Sequence, residues 1–273
     1  MGDAIISMIG FILGTSVDTS DLMKSAASYN SSAYTMATSI NETGVKPVAA
    51  IIVGIICSLE LARVASRVEG DGQLGVRLVA GVMLKLVLMV IAIKNSDMIL
   101  KAIQGVGEAV TQNVSVYKES KTSNVVSRLV SVVDNMSWYD QFFLVMLLFL
   151  PWIVACVANI ALTVMIFLRF VEIYVLTSCA TLPLAFIGHP ETKSITVTFL
   201  RRYAKAILHG VVLIIVVVLY SKINPSSVDF SGVTSGSILS YCVKNIGNLL
   251  VAPIVFAILV VSSNKFTGAL VGE

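Results

Sequence analysis

Apolar and polar positions in this chain segregate over whole segments rather than single turns. Six apolar runs stand out: Val48–Ala62, Arg77–Lys94, Gln141–Leu168, Val171–Gly188, Ala206–Ser221 and Asn248–Ser263. They approach or exceed the roughly 20 residues with which a helix crosses a bilayer. Pro47 stands just before the first run and marks a helix start. A shorter run, Ala4 to Leu13, predicts a helix lying on the membrane or packed on a bundle. Between the second and third runs the period changes. Ile99, Ile103, Val106, Val110 and Val114 recur at helical steps, as do Val125, Leu129, Val132 and Met136. Both series predict amphipathic helices with an apolar stripe, the second capped by Ser123.

Composition narrows the class. Hydrophobic residues make up 56% of the chain and charged residues 13%, with a mean hydropathy of +0.90. A soluble domain carries about 25% charged residues, and these residues could not cover one. The expected fold is all-α, a polytopic transmembrane helix bundle. A net charge of +3 is too small to mark nucleic acid as a direct partner. Cys57, Cys156, Cys179 and Cys242 show neither metal-ligand nor redox spacing and read as small hydrophobes. The opening MGDAIISMIGFILG has Asp3 as its one early charge, so it lacks the basic start of a secretory signal.

Charge sets the expected orientation. Arg63, Arg67 and Arg77 surround the first connection, and Lys193, Arg201, Arg202 and Lys205 precede Ala206. Positive charge accumulates on cytoplasmic loops, so both clusters belong inside. That requires an odd number of crossings between Gln141 and Gly188. The prediction is one full crossing, then a re-entrant or cytoplasm-facing segment broken at Pro183 and Pro190. About five crossings follow, with the N-terminus outside and the C-terminus inside. Residues 1–46 form an extracytoplasmic N-terminal segment, 47–94 the first transmembrane hairpin and 95–140 an extracytoplasmic amphipathic-helix loop. Residues 141–273 form the remaining bundle, with a cytoplasmic basic loop at 189–205. In the alternative, Val171–Gly188 crosses, giving six spans and a split orientation. No internal repeat supports an inverted-repeat transporter.

Little catalytic chemistry is visible. A G-x-x-x-x-G-K-[ST] loop is missing, and Gly105-Val106-Gly107 is no nucleotide fingerprint. His189, in a proline-flanked turn, and His209, inside an apolar run, read as packed residues without catalytic or metal partners. The expectation is a non-enzyme with no catalytic, cofactor or metal site. Four N-x-[ST] triplets, at Asn30, Asn41, Asn113 and Asn135, carry meaning only in a secretory-pathway protein. Ionisable residues within the spans are more informative. Lys85 lies mid-span, where a lysine costs about 2.5–3.5 kcal/mol on insertion, so it belongs in the bundle interior or in water. Glu60 is its candidate partner. Arg169 and Glu172 stand three apart on one face and can pair, and Asn159 can bond across helices. Together they describe either a polar pathway or buried pairs that fix packing.

The run RFVEIYVLTSCATLPLAF from Arg169 to Phe186, then TKSITVTFLRRY from Thr192 to Tyr203, then a new span at Ala206, resembles one family. It is the TrbL-like polytopic inner-membrane subunit of type IV secretion and conjugation systems. The resemblance covers the central third to half of the chain, and the topology it implies is similar to the one read from charge. It implies a non-catalytic, oligomeric part of a translocation channel for DNA or protein in the bacterial inner membrane, partnered by sibling subunits and energised by separate ATPases. The short tail, SSNKFTGALVGE, departs from members with a large C-terminal extension. The competing reading is a stand-alone small-solute transporter or ion channel, with Lys85, Glu60, Arg169 and Glu172 as its polar path.

Overall fold

The structure of the protein, a computed structural model, describes residues 2–12, 20–66, 72–117, 130, 132–133, 135–223, 234 and 236–272. The described residues are helical with no strand. The helices are α1 (Gly2–Ile12), α2 (Ser20–Met23), α3 (Ala26–Tyr29), α4 (Ser31–Ser39), α5 (Lys46–Ala65), α6 (Gly72–Lys94) and α7 (Ser96–Ser115). After them come α8 (Trp138–Ser178), α9 (Thr181–Leu184), α10 (Lys193–Ile223), α11 (Ile238–Lys244) and α12 (Ile246–Val271). Among the described residues five stretches are long and apolar enough to cross a membrane: Ser31–Ala65, Gly75–Lys94, Trp138–Ser178, Lys193–Ile223 and Ile246–Val271. This matches the expected count. Ser123, Val125, Leu129 and Arg67 lie outside the described residues.

Two boundaries differ from the sequence reading. The first span does not start at Pro47: α4 and α5 join through a π-helical turn, Ile40–Val45. There the Lys46 N–H bonds to Asn41 O, one residue wider than in an α-helix. A proline removes one N–H and crowds the preceding turn, and the wide turn just before Pro47 accommodates both demands. Val171–Gly188 is not a helix of its own. Its first half completes α8, a 41-residue helix of roughly 60 Å, about twice the bilayer core. Its second half is the one-turn α9 and irregular backbone. The basic connection before Ala206 is helical from Lys193 onward and fused to the span as α10.

The chain divides into two compact units, with boundaries at the end of α2 and inside α7, α8 and α10. The first comprises residues 1–23, 109–168 and 209–273. In it, Ile5, Ile9 and Ile12 recur at helical spacing and are fully buried among Leu144, Leu148, Ala155, Ile238, Cys242 and Leu249. The short N-terminal helix therefore packs on the bundle. Tyr220 and Phe256 meet at 4.8 Å between ring centroids, and Tyr220 donates to Ala252 O at 2.9 Å. Pro253 sits within α12 without ending it, and Gly272, at φ 80°, closes that helix in the left-handed conformation glycine adopts freely.

The second unit comprises residues 24–108 and 169–208. Ser25 and Asn30 cap α3 and α4 through side-chain oxygens that accept from Ser28 N and Ala33 N. α5 and α6 form a hairpin around Ala49, Val53, Ile56, Met89 and Ile93, against which Ala185 also packs.

Candidate functional site

The second unit holds the densest polar chemistry. On α5 the buried face reads Ala49, Val53, Ile56, Glu60, Val64, so a carboxylate falls in an otherwise apolar stripe. A buried charge must be paired. Glu60 Oε1 lies 2.6 Å from His189 Nδ1 and 3.9 Å from Arg63 Nη1. Arg63 Nη2 donates to Glu191 Oε1 at 3.0 Å, and Glu191 Oε2 stands 3.7 Å from the other ring nitrogen of His189. His189 thus sits between two carboxylates that approach opposite edges of its ring. They do not converge, and no group of three His, Cys, Asp or Glu among the described residues has a metal-binding arrangement.

A second cluster lies where α7, α8 and α10 meet. Gln104 donates to Tyr203 Oη, which lies 3.4 Å from Thr177 Oγ1. Thr177 spends its own proton on Ile173 O, so the phenol donates to it and the chain of donors is complete. Gly107 presses against Ile207 so closely that a Cβ would collide with it. Arg169 is 7% exposed, donates from Nε to Ala206 O at 3.3 Å, and lies 5.1 Å from the Phe170 ring centroid. Phe170 in turn stacks on Tyr29. Among the described residues Arg169 Nη1 is buried without a hydrogen-bond partner, and Glu108 is a carboxylate within electrostatic reach.

The structure disperses the sequence candidates. Glu60 meets His189 rather than Lys85. Lys85 is exposed, because α6 packs through Val82, Met89 and Ile93 and Lys85 lies beside that stripe. Its charge still reaches Glu60. Arg169 turns inward, whereas Glu172 lies 3.6 Å from Arg202 at the surface, so the expected Arg169–Glu172 pair is replaced by two separate contacts. Asn159, in the first unit, donates to Ala155 O of its own helix and borders a cavity of about 10 Å³, room for one water, with Tyr220, Pro253 and Phe256. Lys193, Arg201 and Arg202 are exposed and Lys205 is half-buried.

Sequence reasoning read His189 as a packed residue but did not find its partner Glu60, which comes from a helix far away in the chain. It also missed Asn41, which is no glycosylation acceptor here: it is fully buried and takes bonds from Thr181 N and Oγ1 at 3.2 and 2.9 Å. The π-helical turn that holds Asn41 has no sequence signal beyond Pro47. In the first unit, His209 Nε2 lies 2.9 Å from Ser263 Oγ. Ser263 gives its proton to Val260 O, so the histidine donates.

Five long apolar helices, amphipathic α7 and buried polar junctions define a multi-pass helical membrane protein. The chain belongs to the family described as TrbL/VirB6 plasmid conjugal transfer like protein, whose model matches residues 15–181. Neither the curated proteins nor the solved structures gave a match.

Proposed function

We propose that this chain is a non-catalytic, membrane-embedded subunit of a type IV secretion machine, helping to form the inner-membrane path for DNA or protein. Family membership carries the reading. The surface of α6 supports its assembly aspect. Leu84 and Leu88 are exposed, as a lipid-facing helix requires, yet Lys85 between them is exposed as well. An ammonium facing lipid at mid-span costs about 2.5–3.5 kcal/mol, so a neighbouring subunit or water covers it in the assembled state. Copies of this chain and sibling subunits are the partners proposed. Hydrolysis is left to separate ATPases, and the role of this chain is to hold a path rather than break bonds.

The test is affinity purification of the full chain from membranes of its own host, with mass spectrometry. Co-purification of a second copy or of products of the same transfer gene cluster is expected, together with loss of partners in Lys85→Leu. Recovery of a monomer alone under gentle extraction would contradict the proposal. The competing reading, a stand-alone transporter or channel, predicts solute flux in reconstituted vesicles that Lys85→Leu abolishes.

A further inference from the structure

Within the second unit, the chain between α8 and α10 follows an unusual course. Thr181 is bound to Asn41, at the N-terminal side of α5, by two hydrogen bonds. Ala185 is fully buried in the α5–α6 core with Ala49, Val53 and Met89. Gly188 lies so close to Met89 that a Cβ would fall 2.5 Å from its sulfur. His189 then meets Glu60, and Glu191 meets Arg63, near the other end of α5. Asn41 and Arg63 stand roughly 30 Å apart along a continuous helix, at about 1.5 Å per residue. That is close to the thickness of the hydrocarbon core, about 30 Å. Residues 181–191 therefore pass along the depth of the hairpin, and beyond Leu184 they do so without being a helix.

Irregular backbone at membrane depth survives only where protein covers it or water reaches it. Here the backbone is held by i to i+3 turns: Phe186 N to Pro183 O at 3.2 Å, Ile187 N to Leu184 O at 3.3 Å and His189 N to Phe186 O at 3.5 Å. Two hydroxyls of the following chain satisfy carbonyls, Thr196 Oγ1 to Pro183 O at 2.6 Å and Thr192 Oγ1 to Phe186 O at 3.4 Å. Every one of these is a local or side-chain bond. The end of the strap beside the last turns of α5 is fixed by the Glu60–His189 and Arg63–Glu191 contacts.

We propose that residues 181–191 are a strap laid along the α5–α6 hairpin, closed in this structure and clipped by His189 to Glu60 and by Glu191 to Arg63. Releasing the clip lifts Ala185 and Gly188 from α5 and α6 and opens a path to water along the hairpin. The strap stands on geometry alone. Its use as a gate in transfer rests on the secretion reading, and the experiment below does not involve transfer.

The full chain, with Cys57, Cys156, Cys179 and Cys242 replaced by serine and a single cysteine at Ala185, is placed in membrane vesicles. The rate of modification by a charged, membrane-impermeant methanethiosulfonate is measured, normalised to the same protein unfolded in detergent. With the clip intact the site is protected. His189→Ala, Glu60→Gln and Arg63→Glu each raise the rate about tenfold or more, as expected when a local opening becomes populated. Gly188→Val, which leaves every charge in place, does the same by pushing the strap off Met89. His189→Gln, whose amide N–H can still donate to Glu60, keeps the site better protected than His189→Ala, a difference that misfolding common to both variants would not produce. Fast labelling with the clip intact, or unchanged rates in the clip variants and in Gly188→Val, would overturn the strap.

Discussion

Gly107 and Gly105 lie on the same helix and show how narrowly a single position is defined. A side chain at 107 collides with Ile207, whereas at 105 it meets nothing within 4 Å. Gly107→Val is expected to lose about 1–3 kcal/mol through overpacking against a branched neighbour. Gly105→Val should stay within about 0.5 kcal/mol, as surface changes do. Denaturation in detergent micelles, followed by circular dichroism, separates the two. Cys242 offers a chemical readout. It is fully buried, and desolvation pushes its thiol up to about 11. The folded protein disfavours the thiolate, so its contribution to stability is intact below the ordinary thiol range and is lost as pH rises towards about 11. At neutral pH, maleimide should label exposed Cys179 well before Cys242. Equal rates for the two would contradict this burial.

The clearest lesson on the scale of elements comes from α7. Its apolar stripe, Ile99, Ile103, Val106, Val110 and Val114, was legible in the sequence, and the helix is present. The buried face is another one: Ser96, Leu100, Gln104, Gly107 and Thr111. Hydrophobic period identifies an amphipathic helix, but close backbone approach at Gly107 and the Gln104–Tyr203 bond decide which side is packed. Val106 is 66% exposed. Val106→Lys should therefore change stability by less than about 0.5 kcal/mol. Gln104→Leu should cost about 1–3 kcal/mol, because the buried Tyr203 hydroxyl loses a donor. The reverse order in the same melting experiment would mean that the stripe is the packed face after all. The spans were legible because long apolar runs have few alternatives. The break after α8 was legible through Pro183 and Pro190. The polar contacts were not: Asn41 with Thr181, Glu60 with His189 and Arg169 with Ala206 join residues far apart in sequence, and no spacing encodes them.

For the molecule as a whole, sequence and comparison agree on class and family by partly different residues. The family match ends at residue 181, so the RFVEIYVLTSCAT part of the recognised pattern lies inside it and TKSITVTFLRRY lies beyond it. The five long apolar stretches among the described residues agree with the count reached from the apolar runs and the placement of positive charge. The central claim is that this chain works as a part of a transfer machine. The most direct test is conjugation from a donor carrying an in-frame deletion of its gene, with plasmid copy number and growth held equal. The account predicts that transfer falls to the detection limit and that the intact chain, supplied in trans, restores it. Transfer at the parental frequency from the deletion donor would contradict the account.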